Sequence, residues 1–286
     1  MPKLERVVIV NRDTQTSDLA VYKKDLPTAG CFSALDIGVR VTNGGTSNVN
    51  GDILNGIKHI GLVFNGNQYR VWVTGQELFR INWYKQGQPM PYNFSEILSE
   101  VQEVWFRIPF GRFLGDTVYG LDLSRFNNVQ VQIDYGLASI NAVGATGPLT
   151  GTFAPTIIGH AFPAAQRPSF RSMIGLREFY TATSVASGEN VQSFPSQNPL
   201  ANYYGFCLVN NVAEGTDVTD VRIGFDMFAR TVLNDKWYNL QTYANAVLDE
   251  RTVIVKILLA DAQTRDLPVS NIKCAVANEV TWTVPT

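Results

Sequence analysis

The stretch NVQVQIDYG (128–136) most narrowly limits what this chain can fold into. Val129, Val131 and Ile133 fall on one face of an extended chain, and Gln130, Gln132 and Asp134 on the other. A period of two over this length reads as a half-buried strand. Short alternating or apolar runs of the same kind recur: RVVIV (6–10), ALDIGVRV (34–41), HIGLVF (59–64), QYRVWV (68–73), YGFCLV (204–209), VRIGF (221–225) and TVIVKILL (252–259). Gly-, Asn- and Pro-rich punctuation separates them, as in TNGGTSNVNG (42–51) and SFPSQNP (193–199). Many short strands divided by such turns predict an all-β chain of sandwiches or barrels with a few short helices.

Helical signals are few. In VFNGNQYRVWVTGQELFRINWY (63–84), Asn65-Gly66 predicts a tight hairpin turn, and Thr74-Gly-Gln-Glu77 has the form of a capping box ahead of Leu78 and Ile81. Asn93-Phe-Ser-Glu96 repeats the capping form. Ile97, Val101, Val104 and Trp105 then lie at helical spacing, so a second helix is expected there. A third is expected after Asn234, with Trp237, Leu240, Ala244, Val247 and Leu248 as its apolar stripe.

At an offset of 160 the two halves align. Arg70 falls on Arg230, Thr74 on Asn234, and Trp83 on Tyr243. Upstream, Pro27 and Pro195 each precede an aromatic and apolar run. The shared order of strand, polar loop, strand, turn, strand and cap predicts two copies of one sandwich unit. The expected division is 1–145, a linker or loop over 146–164, and 165–286, with the seam inside 139–168. That stretch is nearly free of charge, and its TIIGHAF is itself a candidate strand.

A length of 286 residues, at about 150 per domain, suggests one large domain or two of ordinary size. Charged residues make up 17%, below the usual figure of about 25%. With 11% aromatics, this fits either a β-rich protein or one that buries surface against partners. Net charge is −2 with no basic run, so direct nucleic-acid binding is not expected. Cys31, Cys207 and Cys274 are far apart and read as small buried hydrophobes of a reducing compartment. The N-terminal run lacks a signal-peptide core, and no run reaches the roughly 18 apolar residues of a membrane span, so cytoplasmic synthesis is expected.

The residues offer little chemistry. His59 and His160 are the only histidines, too few for a cupin-type metal centre. GATGPLTGT (144–152) lacks the lysine of a phosphate-binding loop, and no nucleophile elbow is present. Asp116, Asp122 and Asp134 are the carboxylates that a sandwich glycosidase would need to bring together. Glu214, Asp217 and Asp220 offer oxygen ligands to a structural Ca²⁺, but without EF-hand spacing they read as an ordinary turn. Asn93-Phe-Ser95 matches a glycosylation sequon with no secretion signal beside it. Trp72, Trp83, Tyr84, Tyr203, Tyr204 and Trp237 read as core residues, with some as interface anchors. No catalytic, cofactor-binding or metal residue is assigned, and no cofactor is expected.

The segment IKHIGLVFNGNQYRVWVTGQELFRINWY resembles the middle of the first barrel of double jelly-roll major capsid proteins from tailless icosahedral viruses of the tectivirus, corticovirus and adenovirus lineage. VWFRIPFGRFLGDTVYGLDLSRFNNVQVQIDYG is similar to its closing strands. MIGLREFYTATSVASGENVQSFP and NVAEGTDVTDVRIGF resemble the opening and middle of the second barrel. The last segment, from Asp261, lacks a copy of GLDLSRFNN. The resemblance implies two tandem eight-stranded jelly rolls and a homotrimer of pseudo-hexagonal outline. It implies neighbouring trimers, penton and minor capsid proteins, and an internal membrane as partners, in a virion shell assembled in a host cytoplasm. It carries no catalytic residues. Two other readings stay open: a tandem sandwich that binds glycans, as lectins and spikes do, and a sandwich hydrolase with two close carboxylates.

Overall fold

The computed structural model describes residues 3–17, 19–44, 53–137, 153–182, 188–193, 206–210, 218–225, 230–236, 252–255, 271–276 and 282–285; beyond residue 176 it gives the course of the strands only. The chain divides into two compact units, Met1–Asn82 with Pro89–Arg177, and Trp83–Gln88 with Glu178–Thr286.

The first unit contains ten strands: β1 (Glu5–Val10), β2 (Leu19–Asp25), β3 (Cys31–Thr42), β4 (Ile57–Phe64), β5 (Gln68–Val73), β6 (Tyr92–Asn93), β7 (Val101–Pro109), β8 (Leu121–Asp122), β9 (Val129–Gly136) and β10 (Ala154–Ala161). One antiparallel sheet runs β1-β10-β3-β7, with β6 beyond β7 and β8 pairing the start of β3. The other runs β5-β4-β9-β2. The alternation read in NVQVQIDYG is realised: Val131, Ile133 and Tyr135 are fully buried while Gln130, Gln132 and Asp134 are partly exposed. They join Ile60, Leu62 and Phe64 of β4 and Val71 and Val73 of β5 on the inner side of this sheet. Leu35, Ile37, Val39 and Val41 of β3, with Val104, Phe106 and Ile108 of β7, supply the inner side of the other. Burying such side chains is worth about 1.5–3 kcal/mol each, so the two inner faces account for most of the unit's cohesion.

The second unit contains β11 (Leu176–Ala182), β12 (Gly188–Ser193), β13 (Phe206–Asn210), β14 (Val218–Phe225), β15 (Arg230–Lys236), β16 (Thr252–Val255), β17 (Asn271–Val276) and β18 (Trp282–Pro285). Its strands pair in the orders β11-β18-β13-β16 and β12-β17-β14-β15. Counting the eight long strands of each unit from its own start gives the same result twice: first-eighth-third-sixth in one sheet, second-seventh-fourth-fifth in the other. That is the jelly-roll arrangement. Both fourth-to-fifth hairpins carry a bulge near the turn, at Leu62/Val63 and at Ile223/Gly224. β17 and β18 complete the second unit despite its missing copy of GLDLSRFNN.

Three local expectations need correction. Asn93 caps no helix: it lies in β6, and its side chain donates to the Val101 carbonyl at 2.7 Å. Val101–Pro109 is a strand in which Gln102, Val104, Phe106 and Ile108 are buried. The helical stripe mixed residues of both faces, because Trp105 lies on the outer face while the polar Gln102 is buried. Asn234 lies within β15, opposite Arg222, so it is no cap; the stripe from Trp237 to Leu248 lies outside the described residues. Within the stretch expected as a linker or loop, the candidate strand TIIGHAF is realised as β10, the neighbour of both β1 and β3, so this part belongs to the first unit. Its uncharged sequence reflects burial on both faces of a central strand, as in continuous apolar strands generally. The first unit therefore extends to Arg177.

The hairpin and the helix read at 63–84 are present. Asn65 and Gly66 take φ of 50° and 83°, and Asn67 N–H donates to the Phe64 carbonyl at 3.2 Å. A short helix, α1 (Ile53–Gly56), precedes β4, and α2 (Gly75–Gln86) follows β5. Thr74 and Glu77 form the reciprocal capping box at 2.9 and 3.2 Å. From α2, the carboxamide of Asn82 donates to the Arg107 carbonyl at 2.7 Å and accepts from the Arg107 N–H. It thus does for β7 what a further strand would do, sealing a sheet edge with one side chain.

Gly66→Val is expected to lower stability by about 1–2 kcal/mol, because no atom lies near its Cβ position and only backbone strain acts there; Gly66→Asn should be nearly neutral. An unchanged denaturation midpoint for the valine variant would refute the turn. Asn82→Ala strands a backbone donor and acceptor, with an expected loss of about 2 kcal/mol or more. Hydrogen exchange at the Arg107 amide should accelerate; unchanged protection there would count against the seal.

Candidate functional site

The three carboxylates that a glycosidase would bring together serve separate local structures. Asp122 caps the turn Leu123–Arg125, accepting from Ser124 N–H and Oγ at 3.1 and 2.6 Å and lying 3.4 Å from Arg125 Nε. Asp134 on β9 stands 3.9 Å from His59 on β4, whose ring stacks on Trp72 at 4.8 Å. Asp116 is buried in the loop 110–120 and organises it. It receives Arg112 Nε at 2.8 Å and Nη2 at 3.1 Å, and the backbone N–H groups of Arg112, Val118 and Tyr119 at 3.1, 2.9 and 3.4 Å. Burial pushes this carboxyl up, but Arg112 and the three amides outweigh it and hold its pKa at about 2.

Ser33 Oγ fixes the same loop by accepting the Gly115 N–H at 2.8 Å. The loop presents Phe113, Leu114 and Val118 to solvent, 56%, 39% and 42% exposed. The Arg112 guanidinium covers Phe113 and Tyr119 at 5.7 and 5.1 Å from their ring centroids. The loop thus sets an apolar tip on an ion-paired base.

His160 belongs to a cluster that sequence reading missed. Asp36 on β3 accepts Arg107 Nε and Nη2 from β7 at 2.6 and 2.8 Å, and His160 Nε2 from β10 at 2.7 Å. Asp36 stands directly opposite Arg107 in the ladder, and His160 is one diagonal away. Burial raises the Asp36 pKa, while the bonds from Arg107 and His160 more than offset it and hold it below the usual range. Asp36, Arg107 and His160 are 10%, 23% and 16% exposed. With both carboxylate oxygens of Asp36 engaged, this group clamps three adjacent strands on the outer side of their sheet.

Two tryptophans line the outer faces. Trp105 lies over its cross-strand partner Gly38, and Trp72 over Gly61; a Cβ on either glycine would meet the indole within 2.8 and 2.3 Å. The glycines make room for rings that cover the backbone, a recognised sheet-stabilising pair. Cys31 is buried and free, and burial raises its thiol. Cys207 and Cys274 lie on β13 and β17, and Asp220 on β14. Glu214, Asp217, Tyr203, Tyr204 and Trp237 lie outside the described residues. Among the described residues no three metal-ligating side chains cluster, and no helix is long and apolar enough to cross a membrane.

Comparison with known proteins gives a fold. No family model and no curated protein matches the chain. Among solved structures, the STIV MCP matches over 99% of this chain and 95% of its own, with a TM-score of 0.74 at 13% identity. A chain from the Sulfolobus Turreted Icosahedral Virus structure matches over 99% and 89%, at 0.70 and 14%. The major capsid protein P2 of bacteriophage PM2 matches over 98% and 96%, at 0.59 and 13%. The full-length likeness bears out the double jelly-roll fold read from the sequence.

Asp116 supplies a pH prediction. Its folded pKa lies below the ordinary carboxylate value of about 3.9. Its contribution, about 2–3 kcal/mol, is therefore complete above pH ~4 and is lost as pH falls through about 2. Asp116→Asn should be destabilised at neutral pH and should lose less than the parent across that window. Parallel stability profiles for the two proteins would refute the assignment.

Proposed function

We propose that this chain is the major capsid protein of a tailless icosahedral virus and that it works as a homotrimer. The observation that carries this reading is the same eight-strand order laid down twice in tandem and matched over nearly the full chain by the STIV MCP and the PM2 major capsid protein. Three chains bring six jelly rolls, the number that a sixfold lattice position needs, so a trimer can tile a shell as a pseudo-hexagon. Its partners are then neighbouring trimers, penton and minor capsid proteins, and an internal membrane, within a virion shell put together in the host cytoplasm. The work is mechanical. The side chains that sequence reading singled out for catalysis are engaged in local structure, and no reaction is assigned to them.

The loop 110–120 supports the reading from below. Phe113, Leu114 and Val118 form an exposed apolar tip whose base is fixed by Asp116 and Arg112. Pre-fixed loops lose little conformational entropy on docking, which suits a contact repeated many times in a shell.

Light scattering on the purified chain should give three times the 31.7 kDa chain mass. A stable monomer at micromolar concentration would overturn the trimer, and glycan binding by that monomer would move the assignment to the lectin-like reading. The double substitution F113D/L114D should block assembly while leaving circular dichroism and thermal midpoint close to the parent. Unimpaired assembly by that variant would remove the loop from the contact surface.

A further inference from the structure

We propose that the first unit carries a binding site for a phosphate group, framed by Arg70, Arg125 and Arg171. A recess of about 150 Å³ opens between these side chains, with Gly120, Phe170 and Ser172 among its walls. Three chain segments far apart in sequence meet there, and backbone bonds fix each. Arg70 stands on β5 beside the hairpin turn. Arg125 closes the turn that Asp122 caps. Arg171 lies on a segment bonded to 118–120, through Arg171 N–H to the Val118 carbonyl at 2.8 Å and Gly120 N–H to the Ser172 carbonyl at 3.0 Å. The Phe170 ring occupies the space where a Cβ on Gly120 would sit, which packs that segment tightly.

The charge is unbalanced. Asp122 is the one carboxylate lining the recess, and its oxygens are already engaged by Ser124 and Arg125. Among the described residues, Arg70 and Arg171 have no side-chain hydrogen bond or ion pair. Arg70 instead rests against two aromatic rings, with Cζ 5.6 Å from the centroids of both Phe64 and Phe126. Such contacts steady the guanidinium while leaving its N–H fork undirected to any acceptor. A guanidinium steadied on two rings, a second unpaired guanidinium and a third arginine on one recess match a tetrahedral oxyanion, which takes several charge-assisted bonds at once. The arginine heads remain open to solvent, so ligands as different as free phosphate and the phosphate of a lipid headgroup can reach them.

The test uses the full chain and two probes. Inorganic phosphate is titrated at constant ionic strength against a chloride control, with thermal midpoint and calorimetric heat as readouts. Flotation is run with phosphatidylcholine vesicles with and without phosphatidic acid. Phosphate should stabilise the parent saturably, and R70Q and R171Q should each weaken binding about tenfold or more. R6Q, an exposed arginine elsewhere, should behave as the parent. Because Arg70 also packs on rings, R70K serves as a second variant that keeps charge and loses the fork, and it too should bind more weakly. Arginine-dependent flotation on phosphatidic acid would assign the phosphate to a lipid; stabilisation by phosphate alone would assign it to a free anion. No saturable effect of either probe, or equal effects in parent and variants, overturns the site. The proposal does not depend on the capsid reading, and its failure would leave that reading intact.

Discussion

The first unit depends on β3 being buried on both faces. Leu35, Ile37, Val39 and Val41 point to the core, yet Phe32, Ala34 and Asp36 on the opposite face are also buried. An antiparallel sheet usually leaves one face to water. Here the outer face is closed from within the chain. The Trp105 indole covers Gly38, the Phe32 ring covers Gly159, and Arg107 and His160 close around Asp36. A carboxylate at this depth would destabilise the fold if left alone; paired with two donors from the flanking strands, it instead fixes their register. The ladder that places Asp36 opposite Arg107 and one step from His160 also places Gly38 opposite Trp105.

The same demand for satisfaction organises the periphery. Gln102 is fully buried in an otherwise apolar row, and its side chain accepts from Ile53 N–H at 2.9 Å and donates to Asn43 at 3.0 Å. Asn43 in turn donates to the carbonyls of Ser95 and Ile97. One buried amide thus ties the start of α1 to the loop that precedes β7. Asn82 does the corresponding work at the edge of β7. Each is a polar residue that a hydrophobicity pattern would place outside, held inside because backbone groups there have no water to bond.

The tandem order of strands has consequences for assembly. A jelly roll ends its sheets in edge strands, and under the proposed capsid role these edges and loops would face many copies of the chain without pairing at random. A side-chain amide sealing β7 and an ion-paired apolar loop at 110–120 solve two parts of that problem with residues from one unit. The arginine recess is a third surface, polar where the loop is apolar.

Elements whose causes are local could be read from the chain of residues alone. Alternation in NVQVQIDYG, the Asn65-Gly66 turn and the Thr74–Glu77 box each depend on residues within a few positions, so their physics is present in the string. The repeat was legible as an order of strands and turns, which recurs in both units, but not as a cap, since Thr74 follows β5 while Asn234 lies within β15. Features that depend on partners distant in sequence emerged only from packing. Val101–Pro109 imitated a helix because Gln102 is buried by bonds to residues near 43 and 53, and Trp105 is drawn outward by Gly38. TIIGHAF could be read as a strand from its own residues, but its place between β1 and β3, which assigns it to the first unit, could not. Asp36, Arg107 and His160 are brought together by strand order, and Arg70, Arg125 and Arg171 by the meeting of a strand, a turn and a loop segment; both are properties of pairing between segments rather than of any one of them.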